Sequence, residues 1–257
     1  MRAKQKIRDA RIPYEVPSPG ELPDRLESVL KVVYLVFTEG YAATSGPTLL
    51  QADLSGEAIY LGRMLLDAFP DAEVQGLLAL MLLHESRREA RVSADGELVL
   101  LEEQDRSLWK PELIEEGIRL VQKALASGDF GSYTLQAAIA AVHAEARTAA
   151  DTSWERIAGL YDLLRRCTPT PVVELNRAVA IAMRDTPEEG LRLIDAILEG
   201  GELQDYYLAH AARADLLRRI GNRREAHAAY GRALSLARSE PVRRFLSRRL
   251  QETADLG

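Results

Sequence analysis

Residues 212–236, ARADLLRRIGNRREAHAAYGRALSL, read as two short amphipathic helices joined by a tight turn. Ala214, Leu216 and Leu217 share one side of the first helix, and Ala226, Tyr230, Ala233 and Leu234 recur at the three- and four-residue spacing that lines one face of the second. Gly221-Asn222 interrupts the pattern between them. Small residues at Ala214 and Ala226 let the two helices approach closely, Tyr230 fills the space beside them, and the glycine permits a left-handed helix end.

A single helix pair cannot bury its apolar face alone, so copies are expected. One lies 36 residues upstream in ELNRAVAIAMRDTPEEGLRLIDAIL, residues 174–198, where Ala178 matches Ala214, Ile181 matches Leu217, Gly190 matches Ala226 and Ile194 matches Tyr230. Pro187 marks the start of its second helix. This is the tetratricopeptide (TPR) pattern, whose usual period is about 34 residues. LQAAIAAVHAEA (135–146) followed by WERIAGLYDLLRRC (154–167) has the two helices without the full pattern and reads as a divergent repeat. The expected fold is all-α: about a dozen helices with TPR-like repeats forming a right-handed superhelix.

The N-terminal half is less regular. Leu26, Val29, Leu30, Val33, Val36 and Phe37 recur at helical spacing from Asp24 to Glu39-Gly40, and the loop YAATSGP follows. Ser55-Gly56-Glu57 is expected to open the next helix and Phe69-Pro70 to close it. Asp71 is a good N-cap for a third helix whose run Leu77 to Leu83 is apolar on every side, so this helix is expected at the centre of its domain. Asp95-Gly96, between Arg91-Val92 and Glu97-Leu98-Val99-Leu100, predicts a small β-hairpin. A helix from Pro111 to Ala126 completes this part, and Ser127-Gly128-Asp129 separates it from the repeats. The expected organisation is 1–23 as the end of an upstream helix with a connector containing Pro13, Pro17, Pro19 and Pro23, 24–128 as a helical subdomain with a hairpin, and 129–257 as repeats.

At 257 residues, 47% of them hydrophobic and 28% charged, the chain can bury a substantial core under a water-compatible surface. Its longest apolar run is far short of the roughly 20 residues a membrane span requires, and the charged segment after Met1 lacks a signal-peptide core, so a cytoplasmic location is expected. Cys167 is the lone cysteine, which excludes an intrachain disulfide and is expected to be a buried or half-buried thiol. The net charge of −6 conceals eleven arginines against three carboxylates between Arg213 and Arg249, a local excess of +8. That face is expected to meet an acidic protein surface, possible sources including this chain's own acidic middle, rather than specific DNA.

No catalytic constellation stands out. His84-Glu85 has Arg88 where the HExxH zinc motif requires a second histidine, and a cation there repels a metal. His143, His210 and His227 lack ligand-like companions, and the chain has neither GxGxxG nor a phosphate loop. No catalytic, cofactor or metal site is expected. Glu102-Glu103 and Glu115-Glu116 read as solvated carboxylates. Arg87, Arg88, Arg91, Asp105, Arg106 and Trp109 bracket the hairpin and read either as a structural salt-bridge knot or as an anion or partner pocket. Asn176 and Arg177, with Arg213 one repeat later, are candidates for a concave groove of the kind in which TPR domains hold extended peptides.

IRDARIPYEVP (7–17), VYLVFTEGYAATSG (33–46), LLHESRREARVSADGELVLLEEQDRSLW (82–109), YTLQAAIAAVHAEA (133–146), PVVELNRAVAIAM (171–183) and YGRALSLARSEPVRRFLSRRL (230–250) together resemble a bacterial family. It is the group of extracytoplasmic-function (ECF) sigma factors that carry a long C-terminal TPR-containing extension. The resemblance implies that RAKQKIRDARIP (2–13) follows from the recognition helix of sigma region 4. Region 2 and nearly all of region 4 are not among these residues, so no promoter contact is assigned to them. The implied role is a non-catalytic extension that supports or regulates transcription initiation. Its implied partners are sigma regions 2 and 4 of the full-length chain, the RNA polymerase core and a regulatory protein. The alternative is a free-standing TPR adaptor that binds a peptide or partner helix.

Overall fold

The computed structural model describes residues 22–41, 52–93 and 95–254. The expected connector before Leu22 and the loop at 42–47 lie outside them. Among the described residues the chain forms eleven α-helices: α1 Leu22–Tyr41, α2 Ala52–Ala68, α3 Ala72–Glu85, α4 Pro111–Ala126, α5 Ser132–Glu145, α6 Trp154–Cys167, α7 Pro171–Arg184, α8 Pro187–Glu199, α9 Tyr207–Ile220, α10 Arg223–Leu236 and α11 Glu240–Ala254. The fold is an all-α, TPR-like array.

The repeat alignment is realised side chain by side chain. Ala178 and Ala214, Ile181 and Leu217, and Ile194 and Tyr230 are all buried; Ala178 and Ile194 belong to the core between α7, α8 and α9, and Ala214, Leu217 and Tyr230 to that between α9, α10 and α11. Helix starts follow one chemistry. The side chains of Thr170, Thr186 and Asn222 accept from the third residue of α7, α8 and α10, with Pro171 and Pro187 in the first turn of the former two. Gly221 adopts φ 90°, and Asn222 N donates to Leu217 O at 2.9 Å, the closure expected of a glycine-ended helix. The divergent pair α5–α6 has its own core of Leu135, Ile139, Val142, Ile157, Ala158 and Leu164.

In the N-terminal half, α3 is buried on every side from Val74 to Leu83 and packs against α1, α2, α4 and α5. Asp71 caps it, accepting from Glu73 N at 2.8 Å. α1 contributes Leu30, Val33, Phe37 and Tyr41 to that core, whereas Val29 faces outward with Val32 and Leu35. α2 begins at Ala52 rather than at Ser55. Ser55 is fully buried inside the helix, where its hydroxyl accepts from the Arg88 guanidinium.

Two expectations need correction. The hairpin is one antiparallel bridge wide, Val92 opposite Leu98. The turn forms, with Gly96 at φ 76°, but Arg88–Arg91 is a 3-10 turn and Leu101–Glu103 another, which leaves no length for strands. Cys167 is exposed, because it is the last residue of α6 and lies beyond that helix's buried stripe of Ile157, Ala158 and Leu164.

Candidate functional site

The first helices of the three pairs line a concave face. Asn176, Val179 and Met183 on α7 and Tyr207, Ala211 and Asp215 on α9 follow helical spacing along it, and with Trp154 and Phe245 they border an apolar cavity of about 380 Å³. A second, more polar cavity of about 300 Å³ continues past His143 and Asn176 towards His84, Arg87 and Trp109.

The segment between α3 and α4 enters this groove. Its base is closed by Lys110 N donating to Ser86 O at 2.9 Å and by a Lys110–Glu89 ion pair at 2.8 Å. From this base the chain runs out as a flap whose Leu98 and Leu100 pack against the core of α9, α10 and α11. Three carboxylates of the flap meet three arginines of the array: Glu102 with Arg219 at 3.0 Å, Glu103 with Arg249 at 3.1 Å and Glu97 with Arg248 at 3.5 Å. Glu102 and Glu103, expected on a solvated face, are exposed and form ion pairs there, and Glu116 pairs with Arg63. Solvent-accessible ion pairs contribute about 0.2–1 kcal/mol each, and partial burial of two leucines adds less than the roughly 1.5–3 kcal/mol of full burial apiece. The flap is thus held by a few kcal/mol.

The six residues expected to bracket the hairpin are the feet of this flap. Arg88 is buried and grips Glu85 with two nitrogens, at 2.6 and 2.7 Å. Arg91 donates to the last carbonyl of α1, Tyr41 O, and lies 3.6 Å from the centroid of the Tyr41 ring. Burial holds its pKa down at about 10, still high enough to keep it charged at neutral pH. On the other foot, Arg106 donates to His143 O and Ala146 O, both at 2.8 Å, satisfying carbonyls at the end of α5, and stacks 4.5 Å from Trp109. Of these three arginines, only Arg88 forms an ion pair; Arg91 and Arg106 bond backbone carbonyls and lie over aromatic rings. Asp105 takes no part in these contacts: the residue is exposed and caps the 3-10 turn by accepting from Ser107 N. Arg87 and Trp109 line the smaller cavity.

Of the groove candidates, Asn176 borders both cavities, but Arg177 and Arg213 turn away. Arg177 pairs with Asp162 on α6 and Arg213 with Asp195 on α8, each at 2.6 Å, so both tie one repeat to the one before it. The next residue on a helix lies about 100° further round, which carries Arg177 from the groove side at Asn176 to the side that meets Asp162 on α6.

Arg87 Nη2 lies 3.2 Å from His84 Nδ1, which makes that nitrogen the acceptor, and the His84 ring sits 5.0 Å from Tyr41. Burial, aided by Arg87, Arg91 and His143, pushes the His84 pKa well below its usual value, and burial with Arg87 and Arg106 lowers His143 to about 4. Among the described residues no three His, Cys, Asp or Glu side chains gather as a metal would require. The unfolded chain takes up protons on these imidazoles as pH falls through about 6.5, while the folded chain refuses them until much lower pH, so acid favours unfolding. Between pH 7.5 and 5 His143 should contribute roughly 1–2 kcal/mol of lost stability. Urea midpoints at the two pH values should differ less in His143→Gln than in the wild-type chain. Equal pH sensitivity would remove His143 from this account.

The profile of a family of unknown function, DUF6596, matches residues 25–125, which covers α1 to α4 and the flap. An uncharacterized protein of Rhizobium meliloti (strain 1021) is 43% identical over 254 residues, 98% of this chain. The chain spans 60% of that relative's length. Among solved structures, a thermophilic TPR protein of Thermus thermophilus is similar with a TM-score of 0.55 at 17% identity, covering 90% of this chain and 99% of that one. This likeness supports the TPR-like fold. Among the described residues no helix is long and apolar enough to cross a membrane.

Proposed function

We propose that this chain is a non-catalytic interaction module, the C-terminal extension of a cytoplasmic bacterial ECF sigma factor. In this reading it supports or regulates transcription initiation through contacts with sigma regions 2 and 4, the RNA polymerase core or a regulatory protein. The observation that carries the interaction reading is the concave face of the array, an apolar groove with arginines at one end. The sigma-factor assignment rests on the ordered motifs between residues 7 and 250. The length of the Rhizobium relative beyond the match is compatible with further domains in a longer protein. The groove alone also favours the second reading, a free-standing adaptor for a peptide or partner helix.

Run-off transcription from a cognate promoter separates the two. The full-length factor should be active, a version ending at about Pro13 should lose most of that activity, and this chain alone should support none. Equal activity of the full-length and truncated factors would shift the assignment to the adaptor.

A further inference from the structure

We propose that the flap Glu97–Glu103, ELVLLEE, is a built-in occupant of the concave groove, and that the C-terminal repeats recognise an extended partner peptide of the same chemistry, leucine-type side chains followed by paired carboxylates, which displaces it. This deepens the reading of the array as a binding module and rests on it.

Three observations converge. The flap lies on the repeats as a docked segment does: Ser93 N donates to Glu97 O and Val99 N to Arg91 O, both at 2.9 Å, around the Val92–Leu98 bridge, Leu100 is extended at φ −65° and ψ 150° ahead of the 3-10 turn Leu101–Glu103, and Leu98 and Leu100 lie against the repeats. The carboxylates match the groove, since Glu97, Glu102 and Glu103 reach three arginines more than 100 positions away in sequence. The flap can also leave without unfolding its surroundings. Its feet are anchored independently, through Arg88 and Arg91 on one side and Arg106 and Trp109 on the other. Its leucines are only partly buried, and the apolar cavity beside them remains open. Main-chain and pocket recognition of extended peptides needs these elements, an open groove, apolar subsites and fixed charges of opposite sign.

The test uses the whole 257-residue chain and a fluorescent synthetic peptide carrying ELVLLEE, with anisotropy as readout. Glu102→Lys/Glu103→Lys removes the flap's charged grip at exposed positions and leaves the groove arginines in place; Arg219→Glu/Arg249→Glu reverses the groove. Circular dichroism establishes that each variant is folded. The peptide should bind the flap variant at least tenfold more tightly than the wild-type chain, and the groove variant at least tenfold more weakly than the flap variant. A peptide with lysine in place of its glutamates should not bind, and affinity should fall as salt rises. Hydrogen exchange offers a check without substitution: amides of 97–103 in the wild-type chain should become less protected when excess peptide is added. Equal affinity of the wild-type chain and the flap variant, undiminished binding by the groove variant, absence of binding throughout, or unchanged exchange would each overturn the proposal. Because this is a binding measurement on the isolated chain, its failure leaves the transcription assay to decide the broader reading.

Discussion

Gly76→Val should cost on the order of 4 kcal/mol, at the severe end of single substitutions and comparable to much of the stability of an ordinary domain. Gly76 lies where α3 crosses α5, and a Cβ built there would overlap Thr134 Oγ1 and sit 2.5 Å from Thr134 N. The second of these is backbone, so the clash cannot be relieved by swinging a side chain. Separating the helices would also break the bond from Thr134 Oγ1 to Ala72 O at 3.1 Å and open a core in which Leu77, Leu80 and Leu135 are almost completely buried. Urea denaturation followed by circular dichroism measures the loss. Gly56→Ala is the counter-experiment: that glycine is in a helix, and nothing lies within 4 Å of its missing Cβ. Alanine there should stabilise by about 0.5–1 kcal/mol through reduced backbone entropy of the unfolded chain. A mild effect at Gly76, within about 1 kcal/mol of wild type, would show that the crossing is looser than described.

The second large effect is expected at the same crossing. Gly131, the residue before α5, has no side chain to cap the helix, and Glu73 of α3 supplies the cap from a distance. Its carboxylate accepts from Gly131 N at 2.9 Å, Tyr133 N at 2.8 Å and Thr134 N at 3.0 Å. Three donors at a helix N-terminus converge on one negative charge, which combines charge-assisted hydrogen bonding with the favourable end of the helix dipole. Glu73→Ala leaves these part-buried donors without their acceptor and should cost about 2–4 kcal/mol. Glu73→Gln substitutes an N–H₂ group for one accepting oxygen, facing donors with a donor, and should recover only part of the loss. Urea midpoints of the two variants falling within error of wild type would refute the capping role.

These elements also show what a single sequence reveals. The repeats are legible because their signal is local: the same small and large residues return after 36 positions, each pair capped by Thr-Pro or Asn, and the structure buries the aligned residues together. The cap on α3 was legible for the same reason, because Asp71 serves amides two and three residues away. Glu73 was not, since its donors lie 58 to 61 positions downstream and nothing near it announces them. The flap is the extreme case. The basic C-terminal helices were conspicuous and Glu97 to Leu100 read as half of a hairpin, yet the pairing of Glu102 with Arg219 spans 117 residues and that of Glu103 with Arg249 spans 146. Only the folded chain brings them together. Arg177 and Arg213 illustrate a smaller failure: the repeat offset correctly made them equivalent, but one residue of helical phase separates a groove position from an inter-repeat ion pair. The hairpin signal at Asp95-Gly96 was sound for the turn, while the residues after it are drawn to the repeats instead of to a partner strand.

The central claim is that the concave face acts through protein contacts in transcription initiation. Its most direct test is run-off transcription by the full-length factor carrying Arg219→Glu and Arg249→Glu, substitutions that reverse the charge of the groove arginines. With folding and promoter binding intact, the account predicts at least a tenfold fall in transcript. Wild-type transcript levels from that variant would contradict it.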